Sequence, residues 1–153
     1  MNTNKWFNTV RNFSEGFARV YVRGKGETYI DQRGEFIGDG NLWFEYVYDF
    51  SEGFGRVGVR GKGYSYINQR GEFIGNGKLW FAAVYNFIEG LARVYVSGKG
   101  YSFINQIGEF IGNGNIWFDS ARDFREGFAI GVIKNKRYRL DKEGNLNEYR
   151  YVA

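Results

Sequence analysis

Three stretches of this chain are near-copies: FSEGFARVYVRGKGETYIDQRGEF from Phe13, FSEGFGRVGVRGKGYSYINQRGEF from Phe50 and FIEGLARVYVSGKGYSFINQIGEF from Phe87. Trp6, Trp43, Trp80 and Trp117 keep a constant spacing of 37 residues. Cutting before each gives four repeats, 6–42, 43–79, 80–116 and 117–153, which run to the last of the 153 residues. Self-similarity at a fixed period marks a repeat architecture, in which one unit cannot bury its own apolar face and must stack on its neighbours. A single repeat domain over 1–153 is therefore expected, without a linker or second domain.

Within a repeat the pattern is that of strands. Phe17, Arg19, Tyr21 and Arg23 alternate with Ala18, Val20 and Val22, the period of two of a β-strand. GKG follows, then a second β-prone run, ETYIDQ, as in a hairpin with a glycine-containing loop. Taking GKG as a three-residue loop places Arg23 opposite Glu27, Tyr21 opposite Tyr29, and Arg19 opposite Asp31. Val22 then meets Thr28, Val20 meets Ile30, and Tyr95 meets Phe103. Repeat four is one residue shorter between Gly127 and Gly144; a two-residue loop at Asn135 and Lys136 absorbs the loss and sets Ile130 against Asp141. A tight turn at DQRGE or NQRGE leads to a short third strand, EFI.

The segment WFEYVYDFSEG is read as a short helical turn or irregular bridge, because Trp43, Val47 and Phe50 are spaced as on one helical face. The hairpins have two unlike faces. Ala18, Val20, Val22 and Ile30 form an apolar face that must be buried. The other carries Arg19, Tyr21 and Tyr29, then Arg56 and Tyr66, then Arg93, Tyr95 and Phe103. Gly58 stands where repeat one has Tyr21, and the ring of Tyr66 is expected to cover it. The fold expected is all-β: four tandem repeats, each a three-stranded antiparallel meander, stacked as an open twisted array with repeat four as an atypical cap. The alternative is a closed four-bladed, propeller-like toroid, which hides its edges but for which 37 residues is a short blade.

The residues FSEGFARV, GKG and YIDQRGEFI resemble the WG (also called KWG) β-repeats of bacterial proteins. Repeats one to three follow that pattern over most of their length and repeat four more loosely. Thr28, Ser65 and Ser102 replace the glycine between the family's aromatics, and the proline that often follows the third strand is missing from a chain with no proline. The resemblance implies a β-rich repeat domain, often an accessory module. It brings no catalytic or ligand residues to transfer.

Chemistry is scarce. With no histidine and no cysteine, the chain lacks the commonest general base, a thiolate and the best zinc ligands. Glu15, Glu52, Glu89 and Glu126 recur before a glycine, and equivalent copies suit a backbone hydrogen bond or an arginine contact better than an asymmetric catalytic centre. GKG and GDGN lack the spacing of a phosphate loop and the carboxylates of a calcium loop, so both are turns. No enzyme activity, cofactor or metal is expected. The tryptophans are expected to staple one repeat to the next.

The leading expectation is a non-catalytic interaction module that presents a repetitive arginine/aromatic surface to a protein partner or extended polymer. Arg56, Arg93, Tyr66 and Phe103 are the candidate ligand-binding residues, because Asn68 and Asn105 stand where Arg19 has Asp31. The alternative is a carbohydrate-binding module for a cell-wall or surface polysaccharide, using aromatic platforms. Nucleic acid comes third: net charge is only +4, and the basic run KNKRYRLDK, residues 134–142, reads as a solvated face. No window is long and apolar enough to span a membrane, and the opening MNTNKWFNTV lacks the apolar core of a signal peptide, so a cytoplasmic placement is the default.

Overall fold

The alternation produces strands in every repeat. The computed structural model describes residues 7–150, so Trp6 lies outside the described residues. Repeat one contains β1 (Thr9–Ser14), β2 (Phe17–Val22) and β3 (Gly26–Ile30); repeat two contains β4 (Tyr46–Val47), β5 (Gly55–Val59) and β6 (Gly63–Ile67). Repeat three contains β7 (Ala83–Ile88), β8 (Leu91–Val96) and β9 (Gly100–Ile104); repeat four contains β10 (Ser120–Ala121), β11 (Phe128–Ile133), β12 (Lys136–Asp141) and β13 (Leu146–Glu148). Each repeat forms its own antiparallel sheet in simple meander order, three strands in the first three and four in the last. Among the described residues none of these sheets closes into a barrel. The chain divides into two compact units, Met1–Trp80 and Phe81–Ala153.

The hairpins are present, but their second strand is slid by two residues from the expected register. Val22 pairs with Gly26, Tyr21 with Glu27, Val20 with Thr28, Arg19 with Tyr29 and Ala18 with Ile30. Tyr95 likewise pairs with Tyr101 and Arg93 with Phe103. The cause is a tighter turn. The Lys25 N–H donates to the Val22 carbonyl at 3.0 Å, with Gly24 at φ 84°, where a β-turn of type II needs a left-handed residue. Gly26 already belongs to the ladder, at φ 114°. A Cβ there would lie 2.7 Å from the carbonyl oxygen of Phe44, so glycine lets the following repeat approach this backbone.

Repeat four uses the expected two-residue loop, at Lys134 and Asn135 (φ 50° and 69°), one position early; Ile130 pairs with Arg139 and not with Asp141. Because the slip is even, every side chain keeps its expected face. Gly58 pairs with Tyr64, whose ring lies 2.9 Å from the site of a Cβ, so Tyr64 and not Tyr66 covers it.

The segment before each hairpin is not a helical turn: in repeats two and four it is a two-residue strand followed by irregular backbone, and in repeats one and three a full strand. In the two full strands the helix-like spacing comes from a β-bulge. Val10 and Phe13, three residues apart, oppose Val20 and Ala18, two apart; Val84 and Phe87 oppose Val94 and Ala92 in the same way. One extra residue puts both apolar side chains on one face, as a helix would. The expected third strand, EFI, shrinks to single bridges from Ile30 to Phe36, Ile67 to Phe73 and Ile104 to Phe110; only repeat four extends it, as β13.

Cores form where repeats meet. In Met1–Trp80, Tyr29 and Ile37 of repeat one pack with Phe44, Val47, Phe50 and Val57 of repeat two. Backbone hydrogen bonds join Glu27 and Phe44 across the same boundary, at 3.0 and 2.8 Å. In Phe81–Ala153, Leu91, Phe103 and Ile111 pack with Phe118, Phe124 and Leu140, and Tyr101 and Phe118 repeat the backbone link at 2.9 and 2.8 Å. Fully burying an aromatic or large aliphatic side chain of this kind contributes about 1.5–3 kcal/mol.

Candidate functional site

Within each unit, much of the first repeat's arginine/aromatic face is an inner layer against the second repeat. In repeat one, Phe17 stacks on Phe50 of repeat two at 4.5 Å between ring centroids, and Tyr29 meets the same ring edge-on at 4.8 Å. The Tyr29 hydroxyl donates to the carbonyl oxygens of Tyr48 and Arg56, and burial pushes its pKa well above the ordinary 10, so it stays a neutral donor. Arg19 does not pair with Asp31; its Nε sits 2.8 Å from Asp49 in the next repeat. Arg56 lies over the Tyr48 ring at 4.4 Å.

Repeats three and four use the same arrangement. Arg93 Nε is 3.0 Å from Asp123, its Nη1 donates to the Ala121 carbonyl at 2.5 Å, and its guanidinium lies 3.9 Å from the centroid of Tyr85. Of the four residues expected to bind a ligand, Tyr66 is 0% and Phe103 1% exposed, which leaves neither ring a face for a ligand. Arg93 is occupied by repeat four. Asp49 and Asp123 were invisible to hairpin reasoning because they lie 30 residues beyond their arginines, on the outer strand side of the next repeat.

Asp31, Asn68 and Asn105 hold turns instead. The Oδ1 of Asp31 accepts from the N–H groups of Arg33 and Glu35 at 2.9 and 3.0 Å; Asn68 does the same for Arg70 and Glu72, and Asn105 for Ile107 and Glu109. An acceptor oxygen is all this task needs, so Asp and Asn interchange there. Two of the glutamates before glycine make backbone hydrogen bonds to the following repeat. Glu15 accepts from Glu52 and Gly53, and Glu89 from Glu126 and Gly127.

Trp43, Trp80 and Trp117 staple neighbouring repeats. Trp43 Nε1 donates to the Gly40 carbonyl at 3.2 Å, its ring packs on Phe36, and Lys25 of the GKG turn lies 5.3 Å from its centroid. Trp80 with Lys62 and Trp117 with Lys99 repeat the pairing at 5.3 and 5.2 Å. Beside the first of these pairs is an open groove of about 430 Å³, lined by Tyr21, Lys25, Glu27, Trp43, Glu45 and Arg60. Tyr21 is 40% exposed, and Arg60 reaches Glu45 at 2.6 Å. Burial raises the Glu27 carboxyl above its ordinary value, against the pull of Arg19 and Arg11.

The basic run 134–142 is divided. The alternation of β12 puts Lys136 and Tyr138 on one face and Arg137 and Arg139 on the other; Arg139 lies over Phe128 at 4.5 Å, and Lys142 pairs with Glu89 at 3.2 Å. Among the described residues no group of three or more acidic side chains could hold a metal ion, and no helix is long and apolar enough to cross a membrane.

An all-β chain of stapled meanders, with its recurring chemistry used between neighbours, is a tandem β-repeat protein. Residues 7–25 and 44–62 match the family described as WG containing repeat, to which these two stretches are similar. No protein of the curated set matches the chain. Among solved structures, it is similar to the computationally designed Ika4 protein, at 10% identity and a TM-score of 0.43, over 97% of this chain and 92% of that one. It is also similar to BamB from Moraxella catarrhalis, at 14% identity and a TM-score of 0.43, over 94% of this chain and 42% of BamB.

Proposed function

We propose that this protein is a non-catalytic interaction module that binds an extended polypeptide segment at the junctions between its repeats. The observation that carries the reading is the groove of Tyr21, Lys25, Glu27, Trp43, Glu45 and Arg60. It offers rings for apolar side chains, cations for carboxylates and carboxylates for cations, within reach of one short segment. Its Lys–Trp pair recurs at the equivalent places in later repeats, which suits a ligand that runs along the chain.

A polysaccharide is the second reading, favoured by the half-open Tyr21 and Trp43 rings, which could stack on sugar faces. Nucleic acid fits less well, because Glu27 and Glu45 would oppose phosphates in the same groove. The test is binding to a peptide display library and a glycan array, with Tyr21→Ala and Arg60→Ala compared with the wild type. Both side chains are exposed, so melting should hardly change. Retention on the peptides should fall, and should fall further with added salt. Peptide binding that ignores both substitutions would end the reading, and salt-independent retention on glycans alone would replace it with the second.

A further inference from the structure

Within each unit the first repeat hands the second the same set of contacts. Glu15 accepts from the N–H groups of Glu52 and Gly53 at 2.7 and 2.8 Å, and Glu89 from those of Glu126 and Gly127 at 2.6 and 2.8 Å. The receiving turn has both central residues left-handed, as at Glu52 and Gly53 (φ 49° and 86°), and its amides face the preceding repeat. The receiving repeat also brings an aromatic, Phe50, between Phe17 and Tyr29 of the preceding repeat.

The first and fourth repeats hold the two unmatched halves of this joint. In repeat one, Glu15 and Gly16 have the same left-handed turn (φ 52° and 86°), and their amides have no acceptor among the described residues. Phe13 and Val10 stand where Phe50 and Val47 stand in repeat two. Phe50 and Val47 are 2% and 3% exposed; Phe13 and Val10 are 48% and 51% exposed. In repeat four, the exposed carboxylate of Glu126 has no donor among the described residues. Phe128, the counterpart of Phe17, is 41% exposed beside a groove of about 540 Å³ lined also by Ile130, Arg139 and Tyr149.

The charges match as well. The joints within the chain pair Arg19 with Asp49 and Arg93 with Asp123. At the ends, Ile130 replaces the arginine and Asn12 replaces the aspartate. At this pair of positions, joining the ends therefore buries neither an unpaired guanidinium nor an unpaired carboxylate, either of which would cost much of the contact's gain; Arg139, in the same groove, lies against the Phe128 and Tyr149 rings at 4.5 and 5.6 Å.

We infer that a second copy of this chain docks its fourth repeat on the first repeat of its neighbour, head to tail, rebuilding the joint used within the chain. Phe13 enters the groove beside Phe128, and Glu126 accepts from the amides of Glu15 and Gly16. The contact is heterologous, using different surfaces on the two copies, and this makes it testable by complementation.

Light scattering over a concentration series should show the wild type associating. Phe13→Asp, which damages only the first face, and Glu126→Lys, which damages only the last, should each raise the dissociation constant more than about tenfold, the effect of 1.4 kcal/mol or more. Both should keep the wild-type β circular dichroism; Val10→Asp serves for the first face if Phe13→Asp does not fold. An equimolar mixture of the two variants should associate again, since one supplies an intact last face and the other an intact first face. A wild type that stays monomeric at every concentration overturns the inference. So does association untouched by both variants, or a mixture that fails to recover it.

Discussion

Glu15 holds the backbone of its own counterpart, Glu52: one carboxylate oxygen accepts the Glu52 N–H at 2.7 Å and the other accepts that of Gly53 at 2.8 Å. The Glu–Gly pair thus has two tasks. Its carboxylate grips the repeat that follows, and its amides are offered to the repeat that precedes. A sequence element that is both halves of one joint must be copied in every repeat. This is a physical reason for the recurrence of Glu–Gly in all four.

The clamp makes stability depend on pH. The Gly127 N–H, with contributions from Lys142 and the Glu126 N–H, holds the Glu89 carboxyl below its ordinary 4.5, against a smaller opposing effect of dehydration. A lowered value means that the folded state binds this proton less tightly than the unfolded chain. The contribution is therefore complete above 4.5 and is lost as pH falls through the depressed folded value. Thermal melts should show the midpoint falling in that acid window, and Glu89→Gln should flatten the fall. A Glu89 carboxyl that titrates at or above 4.5 by NMR would contradict this.

The two glycines of the GKG turn should respond differently to alanine. At Gly24 (φ 84°) a Cβ meets nothing within 4 Å, so Gly24→Ala should cost only the left-handed backbone, about 1 kcal/mol. At Gly26 (φ 114°) the Cβ would also press on the Phe44 carbonyl at 2.7 Å. Gly26→Ala should cost about 2 kcal/mol or more and loosen the Glu27–Phe44 link. Urea unfolding of the two variants checks the order, and amide exchange at Phe44 checks the cause.

Arg93→Ala should destabilise by about 2 kcal/mol, because it strips Asp123 of its partner, the Ala121 carbonyl of a donor and the Tyr85 ring of its cover. The control is Arg60→Ala. That side chain is 87% exposed in its pair with Glu45, and its loss should change stability by less than about 0.5 kcal/mol. Equal denaturation midpoints for the two would place Arg93 outside the packing layer.

Removing residues 117–153 should expose the core side of repeat three. Phe103, now 1% exposed, packs on Phe118 and Phe124 at 6.3 and 5.0 Å between centroids, and both partners leave with repeat four. Fragment 1–116 should aggregate or lose a cooperative melt. A soluble fragment with a single sharp transition would show that repeat four is dispensable.

What could be read in advance follows from how far apart the deciding residues lie. The hairpins and the face of each side chain depend on neighbours a few positions away, so period-two alternation and turn glycines were sufficient. Register failed by two residues because Gly26 looks like loop until Phe44, 18 positions on, is seen against it. The outer strand failed because a bulge gives Val84 and Phe87 the spacing of a helix.

By itself, then, the sequence determined the period, the all-β meander, the turns and the stapling of repeats by tryptophan. Only the tertiary structure decided what the arginine/aromatic face is for. In the sequence Arg93 faces an asparagine-bearing strand and looks unsatisfied; in the fold Asp123 arrives from the next repeat and pairs with it at 3.0 Å. Burial and charge pairing depend on what the adjacent repeat brings to a surface, and that is a property of the stack that no single repeat contains.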